Sequence, residues 1–302
     1  MFLRSSRLFG SRTDWVMKKM KYYIVDAFTS EAFGGNPAGV VLLGQGGVFP
    51  DDRLMLQVAA ELRYSETAFV RQDGPAEFTV RYFTPAAEVD LCGHATIATF
   101  GVLRHEGIVA DGAVCMNHTL AGDLEVGIGQ QVMMQMARPR AIDNPVDVVR
   151  LHTIMAGNSI ARWPDLPIEI ISTGLPDIMM PVATVEELNG LQPDMAALAE
   201  LSRELSVTGV HAFAITRDDY TAHVRNFGPL YGINEESATG TANGALTHYL
   251  HRRGLIQAPV TCRFLQGEAM GRPSVVMTAL DNDGSIRVGG QSRIIAIGDL
   301  LI

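Results

Sequence analysis

A glutamate between two small hydroxyl residues, Ser65-Glu66-Thr67, opens onto the apolar run Ala68-Phe69-Val70. A carboxylate at the edge of such a run loses part of its hydration. That raises its pKa towards the range where it can give and take protons near neutrality. From position alone, a solvated loop glutamate reads slightly better. Two further stretches carry chemistry: Asp90-Leu91-Cys92-Gly93-His94-Ala95-Thr96 and Glu235-Glu236-Ser237-Ala238-Thr239-Gly240-Thr241-Ala242. In each, small residues open a helix-like run. Unpaired N–H groups at Gly93, and at Gly240, Thr241 and Ala242, with the positive dipole end behind them, could hold a carboxylate or steady a developing enolate. Ordinary helix capping explains either start alone as well.

His94 falls in the first turn of its run, where the dipole disfavours protonation, so a neutral ring could bond substrate or shuttle a proton. A lone histidine is more often structural. Glu236 and Asp90 bring an acid towards each helix start, and a loop acid is at least as good a reading of Asp90. The Cys92 thiol beside a helix N-terminus is expected to have a lowered pKa and to be able to abstract an α-proton. Thiol racemases use a pair, however, and Thr239 stands opposite Cys92 in the alignment below. His248 and His251 lack a third ligand and read as surface residues, so no metal site is expected.

The elements that must position these residues repeat. Arg81-x-Phe83-x-Pro85 returns as Arg225-x-Phe227-x-Pro229, and the ungapped windows that follow share Gly93/Gly240, Ala95/Ala242, Ala98/Ala245, Leu103/Leu250 and Gly107/Gly254. A repeat this far apart implies two related halves rather than a solenoid. With 302 residues there is room for two domains. A 47% apolar and 19% charged composition is that of a soluble globular protein, and no run of about eighteen apolar residues could span a membrane. Net charge is −9, while residues 1–21 hold six basic residues against Asp14 alone. The remaining body is acidic and unsuited to nucleic acid or anionic membranes. Three cysteines give neither a disulfide framework nor a zinc spacing, which points to a reducing, cytoplasmic setting. The first twenty residues resemble a transit peptide in composition, but an upstream start codon or expression remnant is preferred. They are set aside as an extension.

Periodicity predicts strands over residues 22–28, 39–43, 78–83, 124–128, 131–136, 210–215, 223–227, 261–264, 274–278 and 285–289, with a turn over 33–38. Residues 64–70 read as turn into strand, and 168–174 as strand and turn. Helices are predicted over about 52–63, 93–104, 146–156, 195–205 and 240–253. Residues 138–145 break both periodicities and form the best linker. The elements suggest an α+β fold in which each half wraps a curved sheet around a central helix. The first domain is expected over 21–140, completed by a C-terminal strand near 286–302, and the second over 141–285.

Gly34-Gly35-Asn36-Pro37-Ala38, Ser65-Glu66-Thr67, Asp90-Leu91-Cys92-Gly93-His94-Ala95-Thr96 and Ala238-Thr239-Gly240-Thr241-Ala242 together resemble the PhzF-like family of phenazine-biosynthesis isomerase homologues, within the diaminopimelate epimerase-like superfamily. Gln266-Gly267-Glu268 through Ser274 and Val288-Gly289-Gly290 match its C-terminal pattern. The resemblance implies two pseudo-twofold-related, barrel-like domains with the site between them. It also implies isomerisation of a small carboxylate by proton transfer without cofactor or metal, and a homodimer. It makes Glu66 the general acid/base and His94 and Glu236 its catalytic partners. Asn36, Gly93, Gly240, Thr241 and Ala242 become substrate-binding residues. Glu236 and Ser237 stand where aspartate and proline are usual, which leaves the substrate open. An epimerase using Cys92 with a non-thiol partner, or a non-catalytic binding protein, is the alternative.

Overall fold

A computed structural model describes residues 19–156, 166–216 and 218–302. Most of the expected N-terminal extension, residues 1–18, lies outside the described residues. The first half runs β1 (Lys19–Ala27), β2 (Asn36–Gln45), α1 (Asp52–Leu62), β3 (Thr67–Gly74), β4 (Glu77–Phe83), β5 (Glu88–Val89), α2 (Gly93–His105), β6 (Val114–Thr119), β7 (Gly122–Ile128) and β8 (Val132–Gln135). β9 (Arg140–Ile142) and α3 (Val148–Ala156) lead into the second half. That half holds β10 (Glu169–Ser172), β11 (Pro176–Pro181), α4 (Val185–Asn189), α5 (Met195–Leu205), β12 (Gly209–Ile215), β13 (Ala222–Gly228), β14 (Ile233–Glu236), α6 (Gly240–Arg252), β15 (Val260–Gln266), β16 (Ser274–Leu280) and β17 (Ile286–Gly290). β18 (Ser292–Leu301) closes the chain and returns to pair antiparallel with β1.

The two halves repeat in pairing as well as in order. β2 runs parallel to β3 and β4 to β6; correspondingly β11 runs parallel to β12 and β13 to β15. β8 and β17 pair antiparallel and join the halves into one continuous hydrogen-bonded system. The repeated glycines end the two central helices. Gly107 and Gly254 adopt φ of +68° and +70°. Beyond them, the Ile108 and Leu255 N–H groups bond back to the Leu103 and Leu250 carbonyls, the bond of a Schellman cap.

Strand alternation sorts the core. In the second half, Met179 and Phe213 face α6 with Ala245, Leu246 and Tyr249. Their neighbours Ile178, Met180, Val210 and Ala212 face outward into a separate cluster with Leu198 and Leu201 of α5. In the first half, Val40, Ala68 and Tyr82 face α2, while Val41, Phe69 and Phe83 cover α1. α2 is buried on nearly every side from His94 to Leu103, as its continuous run of small and apolar residues requires.

Three local expectations change. Residues 36–38 belong to β2, because Pro37 sits at a strand beginning where its missing N–H is tolerated. β6 and β11 went unpredicted: Val114–Thr119 mixes polar and apolar residues, and Pro176–Pro181 is bounded by prolines. The linker stretch 138–145 contains β9, which pairs with β10.

Candidate active site

Glu66 is the last residue before β3, and His94 is the second residue of α2. The Glu66 side chain is only 13% exposed, and its Oε2 lies 3.2 Å from His94 Nε2. That oxygen is buried and has no aligned hydrogen-bond partner among the described residues. Ser65 Oγ sits 3.2 Å from the same ring nitrogen, and Cys92 Sγ lies 3.3 Å from Nδ1 and 3.8 Å from Nε2. Ser65, Cys92 and Glu66 thus all crowd the His94 ring.

The second half reaches the same place. Glu236 closes β14, and its Oε1 stands 3.9 Å from His94 Nδ1. Asn36, at the start of β2, donates from Nδ2 to Glu236 Oε1 at 3.1 Å and to the Ala238 carbonyl at 3.0 Å. Thr239 Oγ1 donates to Glu236 Oε2 at 2.6 Å. Gln266 Nε2 donates to the Glu236 carbonyl and to Thr239 Oγ1. Gln266 and Thr239 carry no signal beyond their place in the family pattern, and reasoning from sequence assigned them no role.

The two helix starts are built alike. Cys92 and Thr239 occupy the N-cap positions of α2 and α6, and neither makes a side-chain capping bond. An N-cap side chain usually accepts from the second or third helical N–H, so His94 and Ala95 in α2, and Thr241 and Ala242 in α6, receive no such capping bond. Gly240 and Ala242 are buried; Gly93 and Thr241 are partly exposed. The Thr241 carbonyl accepts a bond from Thr173 Oγ1 at 2.8 Å. Asp90 is exposed and remains a loop acid, whereas His248, expected on the surface, is half-buried.

The Gly34-Gly35-Asn36 turn is clamped from across the halves. Arg272 bonds the carbonyls of Gly34 and Gly35 and the Asp26 carboxylate, and Ser237 Oγ donates to the Gly35 carbonyl at 2.9 Å. Gly35 has φ +62°, and a Cβ there would lie 2.2 Å from the Ala27 carbonyl oxygen. Only glycine fits. The serine in place of the family's usual proline thus supplies a bond that proline cannot make.

Burial pushes the Glu236 carboxyl above its ordinary range; His94, the Thr239 hydroxyl and Asn36 pull it back, and Glu66 adds to the rise. Burial, then the charge of Glu66, pushes the Cys92 thiol well above its usual range. This corrects the expectation from helix position, because desolvation of a fully enclosed thiolate outweighs the dipole. Glu66, Cys92 and His94 offer donor atoms all within 4.8 Å of one another, a set that could take a divalent ion only if that reluctant thiol were deprotonated. Asn36→Ala should move Glu236 further upward, because a bond to its ionised form is lost. Unfolding in urea is expected to show a loss of about 1–2 kcal/mol.

Residues 25–298 match the profile of phenazine biosynthesis-like proteins, PhzC-PhzF. An uncharacterized isomerase of Clostridium acetobutylicum is 31% identical, over 95% of this chain and 100% of the relative. The trans-2,3-dihydro-3-hydroxyanthranilate isomerase of Pseudomonas chlororaphis is 30% identical, over 84% and 88%. Among solved structures, a Bacillus anthracis phenazine biosynthesis protein of the PhzF family superposes with a TM-score of 0.84 at 27% identity, covering 95% of this chain and 100% of that one. A hydroxyproline epimerase from Agrobacterium vitis shares the fold, with a TM-score of 0.61 at 15% identity over 95% and 94%. The two-lobed, epimerase-like α+β architecture expected from the sequence is the one observed. Among the described residues, no helix is long and apolar enough to cross a membrane.

Proposed function

The chain belongs to the phenazine biosynthesis-like family and is an isomerase; from that premise we propose that it moves a proton within a small, amino-acid-like carboxylate, with Glu66 as general acid/base. One observation carries this reading: the Glu66 carboxylate is nearly enclosed, unsatisfied at Oε2, and 3.2 Å from His94. A base must keep a lone pair free for the proton it takes. The substrate anion lies between the starts of α2 and α6, where Gly93 on one side and Gly240, Thr241 and Ala242 on the other offer N–H groups and dipole ends. His94 and Glu236 orient the substrate and share the proton, and Asn36 holds Glu236 in place. Charge developing on the substrate during transfer is met by donors already fixed in position. The acid/base, its partners and the anion donors are all protein groups, so this route needs neither cofactor nor metal.

The test is a thermal-shift screen of small carboxylates, trans-2,3-dihydro-3-hydroxyanthranilate among them, followed by NMR of each hit in deuterated water. Turnover with deuterium entering the substrate is the expected result. A hit that stabilises the protein without exchange or rearrangement points instead to a binding protein. Cys92→Ser separates the thiol route: exchange within a few-fold of wild type is expected, because a buried thiol pushed upward is a poor base. Loss of exchange in that variant would return Cys92 to the mechanism. The homodimer implied by the family is part of this proposal and is checked by light scattering.

A further inference from the structure

Among the described residues, Phe28, Phe33, Arg63 and Ser206 turn left-handed without being glycine. Arg63 and Ser206 are the C-caps of α1 and α5, where chains commonly turn that way, and both are exposed. Phe33 is exposed as well. Phe28, at φ +64° and 1% exposed, is the buried one. For a bulky side chain this conformation is sterically costly. It persists only where the surroundings over-determine it, and such strain gathers at ligand clamps.

The surroundings that hold Phe28 belong to the other half. Phe28 directly follows β1, yet its carbonyl accepts the Val275 N–H of β16 at 2.8 Å. The next residue, Thr29, donates its N–H to the Gln291 carbonyl at 3.2 Å. The ring lies between two glycines of the second half. A Cβ on Gly290, at the end of β17, would stand 2.9 Å from Phe28 Cδ1, closer than side chains approach. A Cβ on Gly240, the first residue of α6, would stand 3.7 Å from Phe28 Cζ, in ordinary contact. Gly290 therefore leaves room for the ring, and the far end of the ring meets the start of α6. Thr173 follows β10 as Phe28 follows β1, and its Oγ1 donates to the Thr241 carbonyl. The first turn of α6 is thus braced from both halves, by a hydroxyl from its own and by an aromatic ring from the other.

We infer that Phe28 is a positioning residue for the substrate carboxylate: its ring is a wedge from the first half that sets the first turn of α6 against Glu66 and His94. The proposed proton-transfer groups Glu66 and His94 stand on the first half, and the N–H groups of Gly240, Thr241 and Ala242 on the second. Their spacing has to be carried by contacts that cross between the halves. Asn36 makes one such contact with Glu236; Phe28 makes another, at the helix end itself. With its backbone tied to Val275, and Thr29 tied to Gln291, the left-handed turn is what aims the ring at Gly240. Removing the ring leaves a void under that first turn, and packed surroundings close such voids only in part.

The role in binding rests on the proton-transfer reading, but the bracing is measured without substrate, so each can fail alone. Amide hydrogen exchange is read by mass spectrometry over residues 243–246 and 96–99. These are matching stretches, because Asn243 N–H bonds the Thr239 carbonyl as Thr96 N–H bonds that of Cys92. In Phe28→Ala, exchange over 243–246 should accelerate about tenfold more than over 96–99, a ratio from which global unfolding cancels. Leu198→Ala, a cavity in the separate cluster under α5, should change both stretches alike. With the carboxylate that the screen shows to be turned over, Phe28→Ala should raise KM about tenfold and keep kcat within a few-fold. A carboxylate gripped equally before and during proton transfer is uniform binding. Leu198→Ala should leave KM unchanged. Phe28→Gly removes ring and strain together. It should match Phe28→Ala in KM yet unfold at a higher urea midpoint, the reverse of the order at unstrained positions. Equal acceleration of the two stretches in Phe28→Ala reduces Phe28 to ordinary core packing and overturns the inference, as does an unchanged KM. If no carboxylate is turned over, the proton-transfer reading falls while the exchange ratio still decides the bracing. Should Phe28→Ala fail to fold, Phe28→Leu is read by the same ratio, with a smaller rise expected and a wild-type ratio overturning the inference.

Discussion

Glu66→Gln should lower substrate proton exchange by on the order of 10²–10⁴ while leaving the fold intact. The amide keeps the shape of the carboxylate but cannot cycle a proton. Little stability is expected to depend on the replaced oxygen, since Glu66 Oε2 approaches His94 at 3.2 Å without hydrogen-bond alignment. The readout is deuterium incorporation into substrate beside an unfolding curve. A curve matching wild type with exchange collapsed identifies the base. Exchange continuing at the wild-type rate would take Glu66 out of the mechanism and pass the proton to Glu236 or His94.

Arg225→Met is expected to be the most damaging change to stability, about 3–5 kcal/mol. Arg225 is 7% exposed. Its guanidinium makes paired 2.8 Å bonds to both Glu235 oxygens and donates to the carbonyls of Leu188, Asn189 and Leu191. Methionine fills the space but strands Glu235 and three carbonyls in a largely dry setting. The repeat supplies an internal control. Arg81 holds Glu88 in the equivalent place, but its other partner, Asp52, is 77% exposed, so Arg81→Met should cost about 1 kcal/mol or less. Urea midpoints of the two variants measure the difference. Equal losses would show that burial is not what separates these arginines. In the second copy of the Arg-x-Phe-x-Pro motif, Arg225 therefore anchors β14, the strand that ends at Glu236.

What could be read from residue order was local. Asp51 bonds the Leu54 N–H and Asp194 those of Ala196 and Ala197, so two helices begin where their capping acids stand. The glycines at 107 and 254 end the central helices because their backbone turns left-handed there. The matching motifs gave the repeat, and with it the two-lobed architecture. These features rest on contacts within a few residues, or on one side chain's conformational freedom, and such information survives in a linear string.

The site acids depend on distances that the string does not contain. Glu66 read on its own as a solvated loop residue; burial beside His94, from an element almost thirty residues away, makes it unsatisfied. Cys92 looked activated by its helix end, and enclosure reversed that sign. Asn36 meets Glu236 from a turn that Arg272 and Ser237 of the opposite half also bind. Sequence by itself determined most of the elements and the doubling; solvent exclusion and convergence between the halves, which exist only after folding, decided which of its acids are buried beside one another.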